Sequence, residues 1–217
     1  MRVLIYCEAS QTICEAMRRH GQEAYSCDLQ PCYGHHPEWH IQPDNDIHSK
    51  DILYGGNWDM VIAHPPCTYL CVTANKWFTE QPARKSGALV GSARMAARAD
   101  AIKFAELIWQ APVKRMCIEN PVGVLSTQSI LGKPSQIIQP YQFGHPEPKK
   151  TCLWLRGLPL LQPTREIEPE YHVTESGKRV PKWFFYADRK RNRASIRSKT
   201  FTGVAEAMAK QWTNETL

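Results

Sequence analysis

The sequence predicts an α/β fold, with helices on both faces of a mostly parallel sheet. Short apolar runs typical of buried strands alternate with helical segments along most of the chain. The run from Arg2 to Cys7 is followed by a helical pattern over Thr12 to His20 and by a second strand over Glu23 to Cys27. Strand, helix and strand in under thirty residues indicate a βαβ unit. A chain of 217 residues can form one domain with a sizeable core.

Composition indicates a folded protein with a basic surface. The 27 lysines and arginines outnumber the 21 acidic residues and give a net charge of +6, which mildly favours a polyanionic partner. No apolar run approaches the ~20 residues that span a bilayer, and the first residues do not resemble a secretory signal. We therefore expect a cytoplasmic protein with no membrane partner, whose eight cysteines are free thiols.

The βαβ unit ends at a candidate binding residue. Ile13, Ala16 and Met17 lie on one face of the predicted helix, and Gly21 is a natural residue for its C-terminal end. Asp28 follows the second strand, where nucleotide-binding α/β folds hold a ribose hydroxyl. An aspartate that caps a turn would fit the same position.

Residues 30–57 are predicted to be mostly loops, with a short strand near His40 and a helical turn over Ile47 to Leu53. Cysteines and histidines are frequent here, but their spacing fits no zinc-binding pattern, and we predict no metal site. The acidic candidates near the expected sheet edge are Asp44, Asp46 and Asp51.

The strand over Asp59 to Ala63 ends abruptly in Pro65, Pro66 and Cys67. Proline lacks the N–H that a sheet needs, so the strand must stop there. The turn thus holds a thiol at the C-terminal edge of the sheet, where open α/β sheets bind ligands. Taken alone, Cys67 is equally well explained as a small buried residue.

A long polar loop from Thr68 to Gly91 follows this cysteine, and it is either functional or a plain surface insertion. The clearest helix comes next, over Ser92 to Gln110. Its predicted apolar stripe consists of Met95, Ala99, Ile102, Ala105, Leu107 and Ile108.

Three more strands and a final helix complete the predicted domain. A strand over Val113 to Ile118 runs into Glu119-Asn120-Pro121, and two others cover Ser135 to Gln139 and Thr151 to Leu155. Residues 156–199 lack a core-like pattern and carry a basic run that is either a phosphate-binding segment or a solvated tail. Thr200 to Trp212 is predicted to be a helix with an apolar face of Val204, Ala205, Met208, Ala209 and Trp212.

Three motifs at successive strand ends resemble motifs of the DNA cytosine carbon-5 methyltransferases, in the same order. Pro66-Cys67 is similar to the nucleophile motif and Glu119-Asn120-Pro121 to Glu-Asn-Val. Residues 143–151, Phe-Gly-His-Pro-Glu-Pro-Lys-Lys-Thr, resemble Tyr-Gly-x-Pro-Gln-x-Arg-x-Arg. The last helix, with Gly203 near its start, is similar to the final helix of the family. Over Val3 to Trp212 the chain looks like the short cytosine methyltransferase-like proteins of phages and prophages.

The resemblance implies a Rossmann-like methyltransferase fold that uses S-adenosylmethionine, and DNA (cytosine-5) methylation in a bacterial or phage-infected cytoplasm. Cys67 would add to carbon 6 of a flipped cytosine as a thiolate, because the thiol is a poor nucleophile. Glu119 would contact ring nitrogen 3 and the exocyclic amine, and Lys149 would orient the base or its phosphate. Residues 1–155 and 200–217 would form the catalytic domain, and residues 156–199 a very small target-recognition region.

The resemblance also assigns binding residues. Those implied for S-adenosylmethionine are Glu8, Ala9, Ser10, Asp28, Asp51 and Pro65. Those expected to contact DNA are Lys76, Arg84, Lys85, Lys150, Arg189, Arg191, Arg193 and Arg197. Two alternatives stay open: pyrimidine chemistry with another one-carbon donor or a free nucleotide, motivated by the absence of glycine from the first loop, and a non-catalytic protein that only binds DNA.

The basic run yields a test of DNA binding. Neutralising Arg189, Arg191 and Arg193 together should lower the slope of log K against log salt concentration by up to about 3, since each phosphate contact contributes about 0.9. The measurement is duplex binding by fluorescence anisotropy at several salt concentrations. An unchanged slope would identify the run as a solvated tail.

Overall fold

The computed structural model describes residues 1–44, 50–182 and 200–213, and within them it contains one seven-stranded sheet and one small hairpin. The strands of the sheet are β1 (Arg2–Tyr6), β2 (Glu23–Cys27), β3 (His40–Ile41), β4 (Met60–Ala63), β5 (Arg115–Pro121), β6 (Gln136–Ile138) and β7 (Thr151–Arg156). Their order is β3-β2-β1-β4-β5-β7-β6, and β7 alone among them runs antiparallel to the rest. This arrangement confirms the predicted α/β, Rossmann-like fold class.

Helices cover both faces of the sheet. They are α1 (Thr12–Arg19), α2 (Lys50–Gly55), α3 (Gly91–Trp109), the short α4 (Leu125–Gln128) and α5 (Thr202–Thr213). Alternate residues of β1 point to opposite faces: Val3 and Ile5 pack with α1 and α5, whereas Leu4 and Tyr6 pack with α2 and α3. Both faces of the central strands are therefore buried, which explains their continuous apolar sequences.

The predicted βαβ unit is confirmed. Helix α1 ends at its predicted stop, where Gly21 has a φ of 75°. Of the helical turn predicted over Ile47 to Leu53, the described part is the helix α2, Lys50–Gly55. Asp46 lies outside the described residues.

The apolar stripe predicted for α3 is wrong in its first half. Met95 is 52% exposed and Ala99 is also exposed, whereas Arg94 is buried. The Arg94 guanidinium donates hydrogen bonds to the carbonyl oxygen of Thr68 at 3.0 Å and to that of Leu89 at 3.2 Å. The loop that follows Cys67 covers this half of the helix with backbone carbonyls, which a guanidinium satisfies and an apolar side chain cannot.

The final helix packs as predicted, because all five residues of its predicted apolar face are buried. By contrast, the prediction that residues 156–199 contribute nothing to the core is wrong at Leu161. This residue is fully buried in the core shared with α1 and α5. Trp212 donates a hydrogen bond to the carbonyl oxygen of Pro159 at 3.1 Å and fixes this stretch against α5.

The rest of residues 156–199 contributes the hairpin of β8 (Tyr171–Val173) and β9 (Arg179–Pro181). The basic residues Arg189, Arg191, Arg193 and Arg197 lie outside the described ranges. Across the described ranges, no helix is both long enough and apolar enough to cross a membrane.

Leu161 and its neighbour Leu160 form a matched pair for testing this packing. Leu161→Ala should lower the free energy of unfolding by about 2–5 kcal/mol, because it leaves a cavity in the core. Leu160 is 51% exposed, and its replacement by alanine should change stability by less than about 1 kcal/mol. Urea denaturation followed by circular dichroism measures both, and equal effects would contradict the packing.

Candidate active site

The turn after β4 is held in place by the end of β5. Asn120 is buried, and its side-chain amide donates a hydrogen bond to the carbonyl oxygen of Pro65 at 2.7 Å. Two backbone N–H groups, of Leu70 and Cys71, donate to the carbonyl oxygen of Cys67 at 3.1 Å each. Cys67 therefore sits at the start of a tight turn whose entrance is fixed by Asn120.

Gly123 allows the chain after Cys67 to pack directly on the chain after β5. The N–H of Val124 donates to the carbonyl oxygen of Leu70 at 2.9 Å, and Cys71 forms an isolated β-bridge with Gly123. A Cβ atom on Gly123 would collide with the carbonyl group of Leu70. The thiol-bearing turn and the Glu119-Asn120-Pro121 segment thus form one hydrogen-bonded unit.

Strand β7 brings the third motif to the same edge of the sheet. Pro121 at the end of β5 pairs with Thr151 at the start of β7. Because β7 is antiparallel, the loop that precedes it, residues 143–150, lies beside the C-terminal end of β5. All three motifs identified in the sequence therefore meet at this edge.

The third loop is fixed by the start of α5. The N–H of Gly203 donates to His145 Nε2 at 2.9 Å, and a Cβ atom on Gly203 would collide with the carbonyl oxygen of Phe143. The rings of His145 and Phe201 are 5.2 Å apart between centroids. Lys149 Nζ lies 5.6 Å from the centroid of the ring of Phe201, the residue that directly precedes α5. The lysine therefore contacts the start of α5 as well as its own loop.

Glu119 is paired with a histidine that the sequence analysis did not select. His64 Nδ1 lies 2.9 Å from Glu119 Oε2, and their side chains are 13% and 17% exposed. The sequence feature that could have identified His64 is its position directly before Pro65, at the end of a strand. Since β4 and β5 are parallel neighbours, the two side chains emerge at the same edge.

Cys67, Glu119 and Lys149 influence one another electrostatically. A hydrogen bond with Cys71 and burial raise the pKa of the Cys67 thiol far above its usual value; the charge of Glu119 adds to this rise and that of Lys149 opposes it. Burial alone would raise the pKa of Glu119, but its hydrogen bond with His64 and the charges of His64 and Lys149 lower it. The site therefore pairs a protonated thiol with an ionised carboxylate at neutral pH.

The cleft beside Glu119 is narrow. It encloses about 20 Å³ between the sheet and α5, which is room for a water molecule. Lys149 and Phe201 are among its lining residues, and the cleft as it stands is too small for a pyrimidine ring. A larger cleft of about 710 Å³ lies at the opposite edge, and none of the predicted site residues in the described ranges lines it.

The first loop is closed by its own contacts. Glu8 is buried, and its carboxylate accepts hydrogen bonds from the N–H groups of Ile13 at 2.8 Å and Cys14 at 3.2 Å, and from Ser10 Oγ at 3.3 Å. Burial raises the pKa of Glu8, whereas the charge of His64 and these hydrogen bonds lower it. The carboxylate thus occupies the N-terminal end of α1.

Residues 33–36 cover this loop. The N–H of Tyr33 donates to the carbonyl oxygen of Ala9 at 2.9 Å. The fully buried side chain of Gln11, a second residue that the sequence analysis missed, donates to the carbonyl oxygen of His36 at 2.7 Å and accepts from its N–H at 3.0 Å. Gln11 also has a φ of 58°, the left-handed conformation that glycine commonly supplies.

The other residues implied for the cofactor lie along the same edge. Asp28 follows β2, and its Oδ1 accepts a hydrogen bond from the N–H of Gln30 at 2.9 Å, as the turn-cap alternative predicts. Its partly exposed carboxylate and the Ser10 hydroxyl have the chemistry to hold ribose hydroxyls. Pro65 is buried beside Asn120, whereas Asp51 is exposed in the first turn of α2.

The candidate DNA-contacting residues of the described ranges are near Cys67 in sequence or in space. Lys76 and Arg84 lie over the ring of Trp77, at 4.8 and 3.8 Å from its centroid, on the loop that follows Cys67. Lys85 on the same loop and Lys150 in the third loop are exposed. Within residues 1–44, 50–182 and 200–213, no three histidine, cysteine or acidic side chains form a group that could hold a metal ion.

Comparisons with known proteins give distant structural matches. No protein-family model matches the chain, and a search of curated proteins found no match. Among solved structures, the S. pombe Dnmt2 methyltransferase is similar with a TM-score of 0.46 and 13% identity, over 74% of this chain and 50% of that one. A Spodoptera frugiperda DNMT2 mutant gives 0.41 and 14%, over 78% and 57%. The chain thus spans little more than half the length of these proteins, and the fold assignment rests on its own strand order.

The raised pKa of Cys67 predicts a strong pH dependence of its reactivity. Alkylation by iodoacetamide should accelerate about tenfold per pH unit between pH 7 and 9, because the thiolate is the nucleophile. Cys71→Ala removes the hydrogen bond and should speed alkylation at pH 7.5. Peptide mapping by mass spectrometry measures both rates, with Cys32 as an internal reference. A pH-independent rate would show that burial and Cys71 do not control this thiol.

Proposed function

We propose that the protein is a DNA (cytosine-5) methyltransferase that uses S-adenosylmethionine. The proposal is carried by one observation: Cys67, Glu119 and Lys149 lie at a single sheet edge, close enough for each charge to shift the pKa of the thiol or the carboxyl group. A nucleophile, a carboxyl group and a cation are the groups that addition to a cytosine ring needs.

Cys67 would act as the covalent nucleophile. Carbon 5 of cytosine is a weak nucleophile, but a bond from the Cys67 sulfur to carbon 6 shifts the ring double-bond electrons to carbon 5. Bound S-adenosylmethionine would supply the electrophilic methyl group. Loss of the proton from carbon 5 and departure of the sulfur then restore the aromatic ring and the free thiolate. Because the pKa of the Cys67 thiol is high, its proton must leave when the base is in place, and the neighbouring ionised Glu119 carboxylate would accept it.

Glu119 would stabilise the ring as the thiolate adds. Negative charge develops on ring nitrogen 3 during the addition, and the Glu119 carboxyl group, once it has taken up the thiol proton, can share that proton with this atom. The same carboxyl group can accept a hydrogen bond from the exocyclic amine, a donor that cytosine has and thymine lacks. The pair of contacts would select cytosine.

Lys149 would place the base or its phosphate. Its ammonium group lowers the pKa of both Cys67 and Glu119, so it favours the two ionised groups that the reaction uses. It also lines the narrow cleft beside Glu119. Movement of this lysine and its loop would let a flipped cytosine enter.

Duplex DNA is the proposed partner, and S-adenosylmethionine the proposed cofactor. The loop after Cys67 carries Lys76, Arg84 and Lys85 and could close over a flipped base. Asp28 and Ser10 would hold the cofactor ribose, whereas Glu8 would shape the first loop through its bonds to α1. Residues 156–199 would supply the small target-recognition region, as in the phage and prophage proteins that the sequence resembles.

The closed first loop favours a second candidate function. A loop whose buried carboxylate and covered backbone are already satisfied suits a different one-carbon donor, with the same addition chemistry at Cys67. Heat stabilisation of the protein by S-adenosylmethionine would support the main proposal. A covalent adduct with 5-fluorocytosine DNA, together with no such stabilisation, would support the second. Duplex binding without any adduct would indicate a DNA-binding protein that is not an enzyme.

The decisive experiment is methyl transfer from labelled S-adenosylmethionine to unmodified duplex DNA, followed by nucleoside analysis. We expect 5-methylcytosine as the product. Cys67→Ser should lower transfer by more than about a thousandfold, because the covalent route is lost, and should leave duplex binding within about twofold. Cys32→Ser is the matched control, because Cys32 is a free cysteine outside this sheet-edge site, and it should retain activity. Full activity in the Cys67 variant would remove this residue from the mechanism.

A further inference from the structure

His64 is a buried histidine that the proposed chemistry does not yet use. It follows β4 directly, precedes Pro65, and places Nδ1 at 2.9 Å from Glu119 Oε2. Its other ring nitrogen, Nε2, is buried and has no hydrogen-bond partner among the described residues. The imidazole is therefore anchored to Glu119 through a single hydrogen bond.

The hydrogen bond has a defined direction. An ionised carboxylate only accepts, so Nδ1 must carry the proton that it shares with Oε2. A second proton on Nε2 would have no acceptor among the described residues. One N–H group thus points at the oxygen of the carboxylate that is proposed to meet the base.

We propose that His64 is a positioning residue that fixes the plane of the Glu119 carboxylate in the orientation that meets a cytosine. The inference rests on the proposed function, in which Glu119 contacts ring nitrogen 3. A glutamate side chain has several rotatable bonds, and an unanchored carboxylate would sample orientations that miss the base. With Oε2 held by His64, the remaining lone pairs of the carboxylate keep one direction.

The charges that face this pair come from several elements. Glu119 lies near the end of β5, and His64 follows β4. Lys149, in the loop before β7, and the Cys67 thiol, in the turn after β4, also act on Glu119 or are influenced by its charge. Cys117 on β5 and Cys152 on β7 are buried thiols whose pKa the charge of Glu119 also raises. Glu8 faces His64 from the loop between β1 and α1. Of these groups, His64 and Lys149 favour the ionised carboxylate.

Titration of Glu119 in the free protein tests the proposal without any catalysis. Burial raises the pKa of Glu119 and His64 contributes most to lowering it, so His64→Leu should move the midpoint upward by about one pH unit or more. The midpoint is measured by NMR of protein labelled with ¹³C at glutamate carboxyl groups, and Glu119→Gln identifies the signal. His20 bonds Glu206 on the surface, and His20→Asn is the matched control, with no expected effect on Glu119.

Adduct formation tests the positioning role. His64→Leu should slow formation of the adduct with 5-fluorocytosine DNA about tenfold or more, with duplex affinity unchanged. His64→Asn should recover most of the rate, because an amide N–H can replace Nδ1–H. If the leucine variant does not fold, His64→Ala removes the same hydrogen bond and should both raise the Glu119 midpoint and slow adduct formation.

The two levels of the hypothesis fail in different ways. An unchanged Glu119 midpoint in the His64 variants overturns the positioning role, whatever the protein does with DNA. A raised midpoint with an unchanged adduct rate in the leucine or alanine variant also overturns it, since His64 would then affect charge alone. A third outcome is that the unsubstituted protein forms no adduct while the Glu119 titration midpoint rises in the variants. That result overturns the proposed function and still establishes that His64 interacts with Glu119.

Discussion

The antiparallel pairing of β5 with β7 is the constraint on which the candidate site depends. Had β7 been parallel, the loop that carries Lys149 would lie at the opposite edge of the sheet, a full strand length away from Cys67 and Glu119. The register from Pro121–Thr151 to Met116–Arg156 instead returns the chain to the C-terminal edge. Helix α5 then fixes the position of this loop, because Gly203 packs against the loop backbone.

Buried charge at this edge is stabilised by pairing. Glu8 and Glu119 are both buried carboxylates, and each would gain a proton if burial were the sole influence on its pKa. The N–H groups at the start of α1 satisfy Glu8, and the His64 imidazole satisfies Glu119. His64 lies between the two carboxylates, so the first loop and the candidate catalytic edge share an electrostatic environment.

The first loop contains a left-handed backbone conformation at a residue that is not glycine. Gln11 adopts a left-handed conformation, and its buried side-chain amide bonds the segment that covers the loop. A Cβ atom on Gly34 would collide with the Gln11 side chain, so the two residues are matched in size. These contacts hold the first loop in a conformation that a glycine-rich turn would reach through backbone freedom.

The sequence alone determined the strand and helix order, because apolar periodicity and the Gly and Pro positions are local properties. It also singled out Cys67 at the end of an apolar strand, and the resemblance to the cytosine carbon-5 methyltransferase motifs added Glu119 and Lys149. Only the tertiary structure decided what depends on long-range contacts: the reversal of β7, the burial of Arg94 in place of Met95, the insertion of Leu161, and the His64–Glu119 pair. The paired residues of β5 and β7 are 30 to 40 positions apart, Arg94 and Thr68 are 26 apart, and His64 and Glu119 are 55 apart. No local pattern encodes which partner a side chain will meet.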